Sequence, residues 1–235
     1  MVFSSVMKNP SMSKWHIEQK EFIDRHRVYQ KWNKLDPRWI VWTYRERIYN
    51  KVITDFTKGG YLGLEIGCGA GRTCKFLKDR GRNIIGIDPL LDIYERVTDG
   101  LIRGIGEQLP FQDYLFDFCC MKDTLDHTIS PAKTLQEIVR VLKLGGTLIL
   151  CQNVREKEKH QHYFDQKDLL TLLETSGLMV YKIIPLHIDI PIPWRVKKRL
   201  MRFRLYLSIN RWIARVAPRY ASQLIIVAKK LGEKE

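Results

Sequence analysis

Apolar runs short enough to be strands alternate with amphipathic stretches from residue 61 onward. The runs are YLGLEI (61–66), NIIGID (83–88), a short one near 101–105, FDFCCM (116–121), TLILC (147–151), MVYKII (179–184) and SQLIIVA (222–228). Bounded by turn formers, such runs read as strands buried on both faces. The stretches between them predict helices over 70–80, from Leu91 onward, over 131–144 and over 166–176. In the third of these, Leu135, Ile138, Val139 and Leu142 share one face. Gly81, the pair Gly145-Gly146 and Gly177 stand where three of the helices would end.

Upstream the texture differs. Residues 1–13 are polar and read as frayed. A helix is expected over 13–33, with Trp15, Phe22, Val28, Tyr29 and Trp32 as its apolar positions. After Pro37 a second is expected over 39–56, carried by Ile40, Val41, Tyr44, Ile48, Val52 and Ile53 and ended by Lys58-Gly59-Gly60. The organisation expected is a helical cap over 1–58 and one α/β domain over 59–235. The aromatic-rich cap is either a lid or plain packing on the sheet. Strands alternating with helices make right-handed βαβ units, hence a doubly wound, mostly parallel, seven-stranded sheet. Ligands bind such sheets at the carboxyl ends of the strands. The loops of interest therefore follow Ile66, Asp88, Ile105, Met121 and Cys151.

The first of these loops reads Glu65-Ile66-Gly67-Cys68-Gly69-Ala70-Gly71-Arg72. Alternate glycines let the backbone turn sharply and approach a ligand, with a helix N-terminus behind them. The spacing is G-x-G-x-G, not the G-x-G-x-x-G of dinucleotide sites. Glu65 stands where a pyrophosphate would otherwise lie. Asp88, closing the second apolar run, is placed to accept both hydroxyls of a ribose. Both acids favour a cationic nucleoside ligand over a phosphorylated one.

Here the chain resembles the class I S-adenosylmethionine-dependent methyltransferases, within them the broad small-molecule group called type 11. Further motifs carry the likeness: Gly106-Glu107-Gln108-Leu109-Pro110-Phe111, Phe116-Asp117, and the segment from Glu137 through Arg140 to Gly145-Gly146. The resemblance covers roughly 59–184 and a late strand at 222–229. It implies a Rossmann-like methyltransferase fold, S-adenosyl-L-methionine as cofactor, and cofactor contacts from Glu65, Gly67, Cys68, Gly69, Gly71, Asp88, Pro89, Gly106, Glu107, Gln108, Lys122 and Asp123. Cys68 is there a small filler, not a redox group. The chain departs from the family pattern with Leu144 in place of Pro and Ile105 in place of Asp. The second change leaves the adenine amino group to backbone or to Glu107 and Gln108.

Methyl transfer from a sulfonium is an in-line displacement, so the protein chiefly aligns the acceptor and, where needed, takes a proton. No nucleophilic Ser or Cys and no metal is required. Lys122, Asp123, Asp126 and His127 lie after the fourth run, and the resemblance puts Asp126 and His127 near the acceptor. His127 is the candidate base, with Asp126 or another carboxylate orienting it. His160 and His162 are a second pair, which could instead simply cover the cofactor edge.

Charge adds a partner question. The composition, 45% hydrophobic and 28% charged, excludes a disordered chain. Five scattered cysteines fit reduced thiols in a cytosol rather than a disulfide or zinc-ribbon framework. No secretory signal and no apolar run of membrane-spanning length is seen, so a protein of the cytoplasm, free or peripheral on the inner face of a membrane, is expected. Of the net charge of +14, nine Lys or Arg without an acid lie in 193–220, inside an insertion expected over about 189–220. As a helix this segment has apolar residues on two opposite lines. It therefore either breaks near 208–210 or packs one side and offers the other. An anionic membrane surface, a lipophilic or phosphorylated substrate, a second subunit, or no partner at all would fit. Nucleic acid fits less well, because no recognition module accompanies the charge. The expected function is methylation of a small-molecule, glycan or lipid-linked acceptor. RNA methylation and silent cofactor binding are the alternatives.

Overall fold

The computed structural model describes residues 17, 37–59, 61–154, 161–187, 196, 199, 205–217 and 221–232. The helix expected over 13–33, His160 and most of the basic segment lie outside them. Along the described chain run α1 (Pro37–Phe56), β1 (Leu62–Ile66), α2 (Arg72–Lys78), β2 (Asn83–Asp88), β3 (Leu101–Arg103), β4 (Phe116–Lys122), α3 (Pro131–Val141), β5 (Leu142–Asn153), α4 (Gln166–Thr175), β6 (Leu178–His187), α5 (Leu205–Val216) and β7 (Gln223–Lys230). The strands form one seven-stranded sheet in the order β3-β2-β1-β4-β5-β7-β6. Strands β1 to β5 pair in parallel, while β7 runs against both of its neighbours. The order reverses between β1 and β4, which opens the crevice where such sheets bind ligands.

Side-chain alternation along the strands makes two cores. Leu64, Ile66, Met121, Leu148, Leu150, Leu224 and Ile226 face α3 and α4, meeting Leu135, Ile138, Leu169 and Leu173. Phe118, Cys120, Ile149, Ile225 and Val227 face the other way, against Tyr49, Val52 and Ile53 of α1 and Cys74 and Leu77 of α2. Helix α1 is thus part of the sheet's covering layer. The E-x-x-R motif also builds the frame. Arg140 pairs with Glu137 and donates to the carbonyls of Leu109 and Phe111, while Glu137 accepts the Leu109 amide.

Two expected elements come out differently. The segment from Leu91 is a single 3-10 turn, Leu91–Ile93. The Val97 amide donates to the Ala70 carbonyl, so the chain runs back over the glycine loop instead of coiling. The helix expected over 131–144 stops at Val141, because Leu142 already pairs with Phe116 as the start of β5. Gly145, at φ 72°, then serves a register shift within the strand rather than a helix end.

Helix α2 begins on Gly71, which is left-handed and has no side chain to cap the first turn. Glu65 from β1 supplies the cap. Its buried carboxylate accepts the Cys74 amide at 3.2 Å and faces the Cys74 thiol at 3.0 Å. Burial pushes its pKa up from 4.5 to about 7, against these hydrogen bonds.

Two stability predictions follow from this packing. A carboxyl whose pKa is raised on folding adds stability that is fully present below about pH 4.5 and lost as pH rises through about 7. Glu65→Gln removes this dependence. Relative to wild type, the variant gains in urea midpoint between about pH 4.5 and about pH 7; a pH-independent difference contradicts the buried-acid account. The second concerns Gly63, which pairs with Phe118, so that a Cβ there would lie 2.1 Å from the Phe118 ring. Gly63→Ala costs about 1–3 kcal/mol in chemical unfolding, and adding Phe118→Leu recovers part of it. No loss in the single variant would show that the ring moves freely.

Candidate active site

A cavity of about 200 Å³ opens at the carboxyl ends of β1, β2 and β4. Its walls include Gly67, Gly69, Asp88, Pro89, Gly106, Glu107, Lys122, Asp123 and His127, nine residues singled out from the sequence. Tyr94, Thr124 and Thr128 line it as well: Tyr94 belongs to a stretch without a motif, and the two threonines sit in the loop after β4, where only their charged and histidine neighbours had stood out. Glu65, Cys68, Gly71, Gln108 and Asp126 are not on the wall. Glu65 lies beneath the loop as the cap of α2. Gly71 starts that helix, Cys68 is buried and Gln108 is exposed.

Asp88 is held by its neighbours' backbone. One carboxylate oxygen accepts the Gly69 amide at 2.9 Å, the other the Leu90 amide at 2.8 Å. Burial raises its pKa, and those two amides oppose the shift. Each oxygen keeps a further lone pair for an incoming hydroxyl. The Gly69 amide, which a dinucleotide site would offer to phosphate, is already taken, as is that of Cys74. A Cβ on Gly67 would sit 2.3 Å from Thr124, so the loop closes on the 124–130 segment only with glycine there. Ile66, Ile87 and Ile105 give the cavity apolar wall. The residues present thus fit a nucleoside without phosphates: a fixed carboxylate, a glycine cradle and an apolar pocket.

The segment after β4 is pinned from two sides. Glu107 accepts the amides of Ile129 at 2.7 Å and Ser130 at 3.2 Å. The His162 amide donates to the Asp126 carbonyl at 3.0 Å, and its ring Nε2 meets the Thr128 carbonyl at 2.8 Å. A carbonyl only accepts, so Nε2 carries a proton. His162 therefore locks this segment, while His127 faces the cavity from the turn Leu125–His127. Asp126, in the same turn, is buried at 1% exposure.

At the other edge α1 meets β4. Lys122 pairs with Glu46, and burial, the leading cause, lowers its pKa. Asp123, in a left-handed conformation at φ 49°, is bound by Arg45 at 3.4 Å, Asn153 at 3.3 Å and Gln223 at 2.7 Å. Both residues line the cavity, so α1 reaches the site through two ion pairs in addition to packing on the sheet.

Residues 64–150 match the family model described as a methyltransferase domain. The chain is 38% identical over 129 residues to an uncharacterized protein of Methanocaldococcus jannaschii, covering 50% of this chain and 61% of that one. It is 27% identical over 113 residues to a demethylmenaquinone methyltransferase of Paenarthrobacter aurescens, covering 45% of each. The chain thus spans less than two thirds of the length of these relatives. A structure described as an S-adenosylmethionine-dependent methyltransferase, possible histamine N-methyltransferase, from Thermotoga maritima superposes with a TM-score of 0.60. It covers 92% of this chain and 99% of that one at 21% identity, which is a likeness of fold. With the glycine cradle and its two acids in place, residues 64–150 match a methyltransferase domain in sequence, and the chain has the fold of S-adenosylmethionine-dependent methyltransferases.

Proposed function

We propose that this chain transfers a methyl group from S-adenosylmethionine to a small-molecule, glycan or lipid-linked acceptor. The observation that carries this is the joint presence on one cavity wall of Asp88, held by the glycine loop, and His127, on the pinned segment after β4. A second support is the likeness to a demethylmenaquinone methyltransferase, whose name gives a small molecule as its acceptor.

When bound, the cofactor supplies an activated methyl group on a sulfonium. The chain's own residues have three tasks. Asp88 accepts the ribose hydroxyls, oriented by the Gly69 and Leu90 amides. Ile66, Ile87 and Ile105 exclude water around the base. His127 takes the proton from the acceptor's hydroxyl or amine as the acceptor's lone pair forms its new bond. Glu107 and His162 keep the His127 turn in place, so alignment is built in before the acceptor arrives. Asp126 belongs to the support of that turn.

Incubating the purified protein with methyl-labelled S-adenosylmethionine and fractionated cell extract tests the reading. S-adenosylhomocysteine should form in step with label in a small-molecule, glycan or lipid fraction. Label in RNA would replace the acceptor class, and no turnover with any fraction would leave a binding protein. With the acceptor in hand, His127→Ala should lower turnover about 10²-fold or more and leave cofactor affinity unchanged. The pH–rate profile should lose its limb between roughly pH 6 and 7. Near-full turnover with an unchanged profile would remove His127 as the base.

A further inference from the structure

Helix α5 is continuous from Leu205 to Val216, so the basic segment does not break near 208–210. It packs on β6 with one side, where Asn210 is buried and Ile213 joins the core. The other side stays open. Ile209, Trp212 and Val216 are 41%, 65% and 59% exposed. At 100° per residue these three fall within roughly 60° of arc, a single stripe along the helix. Isolated exposed apolar residues are ordinary, but a stripe containing an open tryptophan marks a contact surface. The stretch 193–220 that contains this helix has nine Lys or Arg and no acid, and Arg211 and Arg215 belong to α5 itself.

We propose that this face docks on the surface of an anionic lipid bilayer, a property that stands apart from methyl transfer. An apolar stripe on a helix whose stretch of sequence is rich in cations and free of acids suits a helix lying in the headgroup plane. Tryptophan favours that level, and cations are drawn to anionic headgroups. Among the described residues no helix is long and apolar enough to cross a membrane, so the helix lies on the surface. A second copy suits the face less. A two-fold contact between copies of α5 would set one helix with two arginines and no acid against another. Nucleic acid would use the cations and one ring, Trp212, but Ile209 and Val216 on the same stripe are aliphatic and give no run of stacking platforms.

The test uses the full chain in flotation with phosphatidylcholine vesicles, with and without an equal share of phosphatidylglycerol. The protein should float only with the anionic vesicles and be released by high salt. The double variant Trp212→Glu with Val216→Glu, both at exposed positions, should lose at least about tenfold in vesicle affinity. Its thermal midpoint and its affinity for S-adenosylmethionine should stay at the wild-type values. The proposal is overturned if the wild-type protein ignores anionic vesicles at low salt, or if the double variant binds them equally well. It is also overturned if light scattering shows a wild-type dimer, split by the double variant, that does not float.

Discussion

The site depends on two buried carboxylates that take up backbone amides in and beside the glycine loop. Glu65 holds the Cys74 amide in the first turn of α2, and Asp88 holds those of Gly69 and Leu90. In a phosphate-binding loop such donors face the ligand. Here they are spent inside the protein, and on the ligand side Asp88 places a carboxylate. A nucleoside carrying a sulfonium suits that field; a pyrophosphate does not. Holding one acid beneath the loop costs stability near neutral pH, since burial raises the pKa of Glu65 to about 7. The helix start is left-handed at Gly71 and has no cap of its own, so the loop needs that acid.

The rest of the site is organised around the same loop. Thr124 closes against Gly67, which ties the segment after β4 to the glycine cradle. Glu107 and His162 then fix the far end of that segment, and Arg45 and Glu46 of α1 reach its near end through Asp123 and Lys122. A substitution in α1 is therefore felt at the cavity without touching a ligand. The E-x-x-R pair of α3 acts at one further remove, by holding the chain just after Glu107.

Much of the fold was legible because most strands are compact apolar runs and glycines such as Gly67, Gly81 and Gly177 mark turns. β2 falls where NIIGID stands, and α1 comes within two residues of its expected start. The errors have a common cause: tertiary hydrogen bonds overrode local pattern. After Leu91 the Ala70 carbonyl drew the chain away from a helix, and at Leu142 strand pairing ended α3 early. The site was legible where a residue type is dictated by chemistry, as with Asp88 or the glycines. It was illegible where one residue acts through another. Nothing in the spacing says that Glu107 would hold the amides of Ile129 and Ser130, that His162 would brace the turn of His127, or that Tyr94 would line the cavity. The two-sided apolar pattern of the basic segment left a break or a double face open, and an unbroken α5 selects the double face.

On our proposal the two acids reserve this pocket for a nucleoside without phosphates. Calorimetric titration of the wild-type chain and of Asp88→Ala, each with S-adenosylmethionine and with NAD, tests it directly. The wild-type protein should bind S-adenosylmethionine with one site and show no measurable NAD binding. Asp88→Ala should weaken S-adenosylmethionine by about tenfold or more, the worth of one charge-assisted hydrogen bond. Wild-type binding of NAD as tight as that of S-adenosylmethionine, or an Asp88→Ala variant with undiminished affinity, would contradict the proposal.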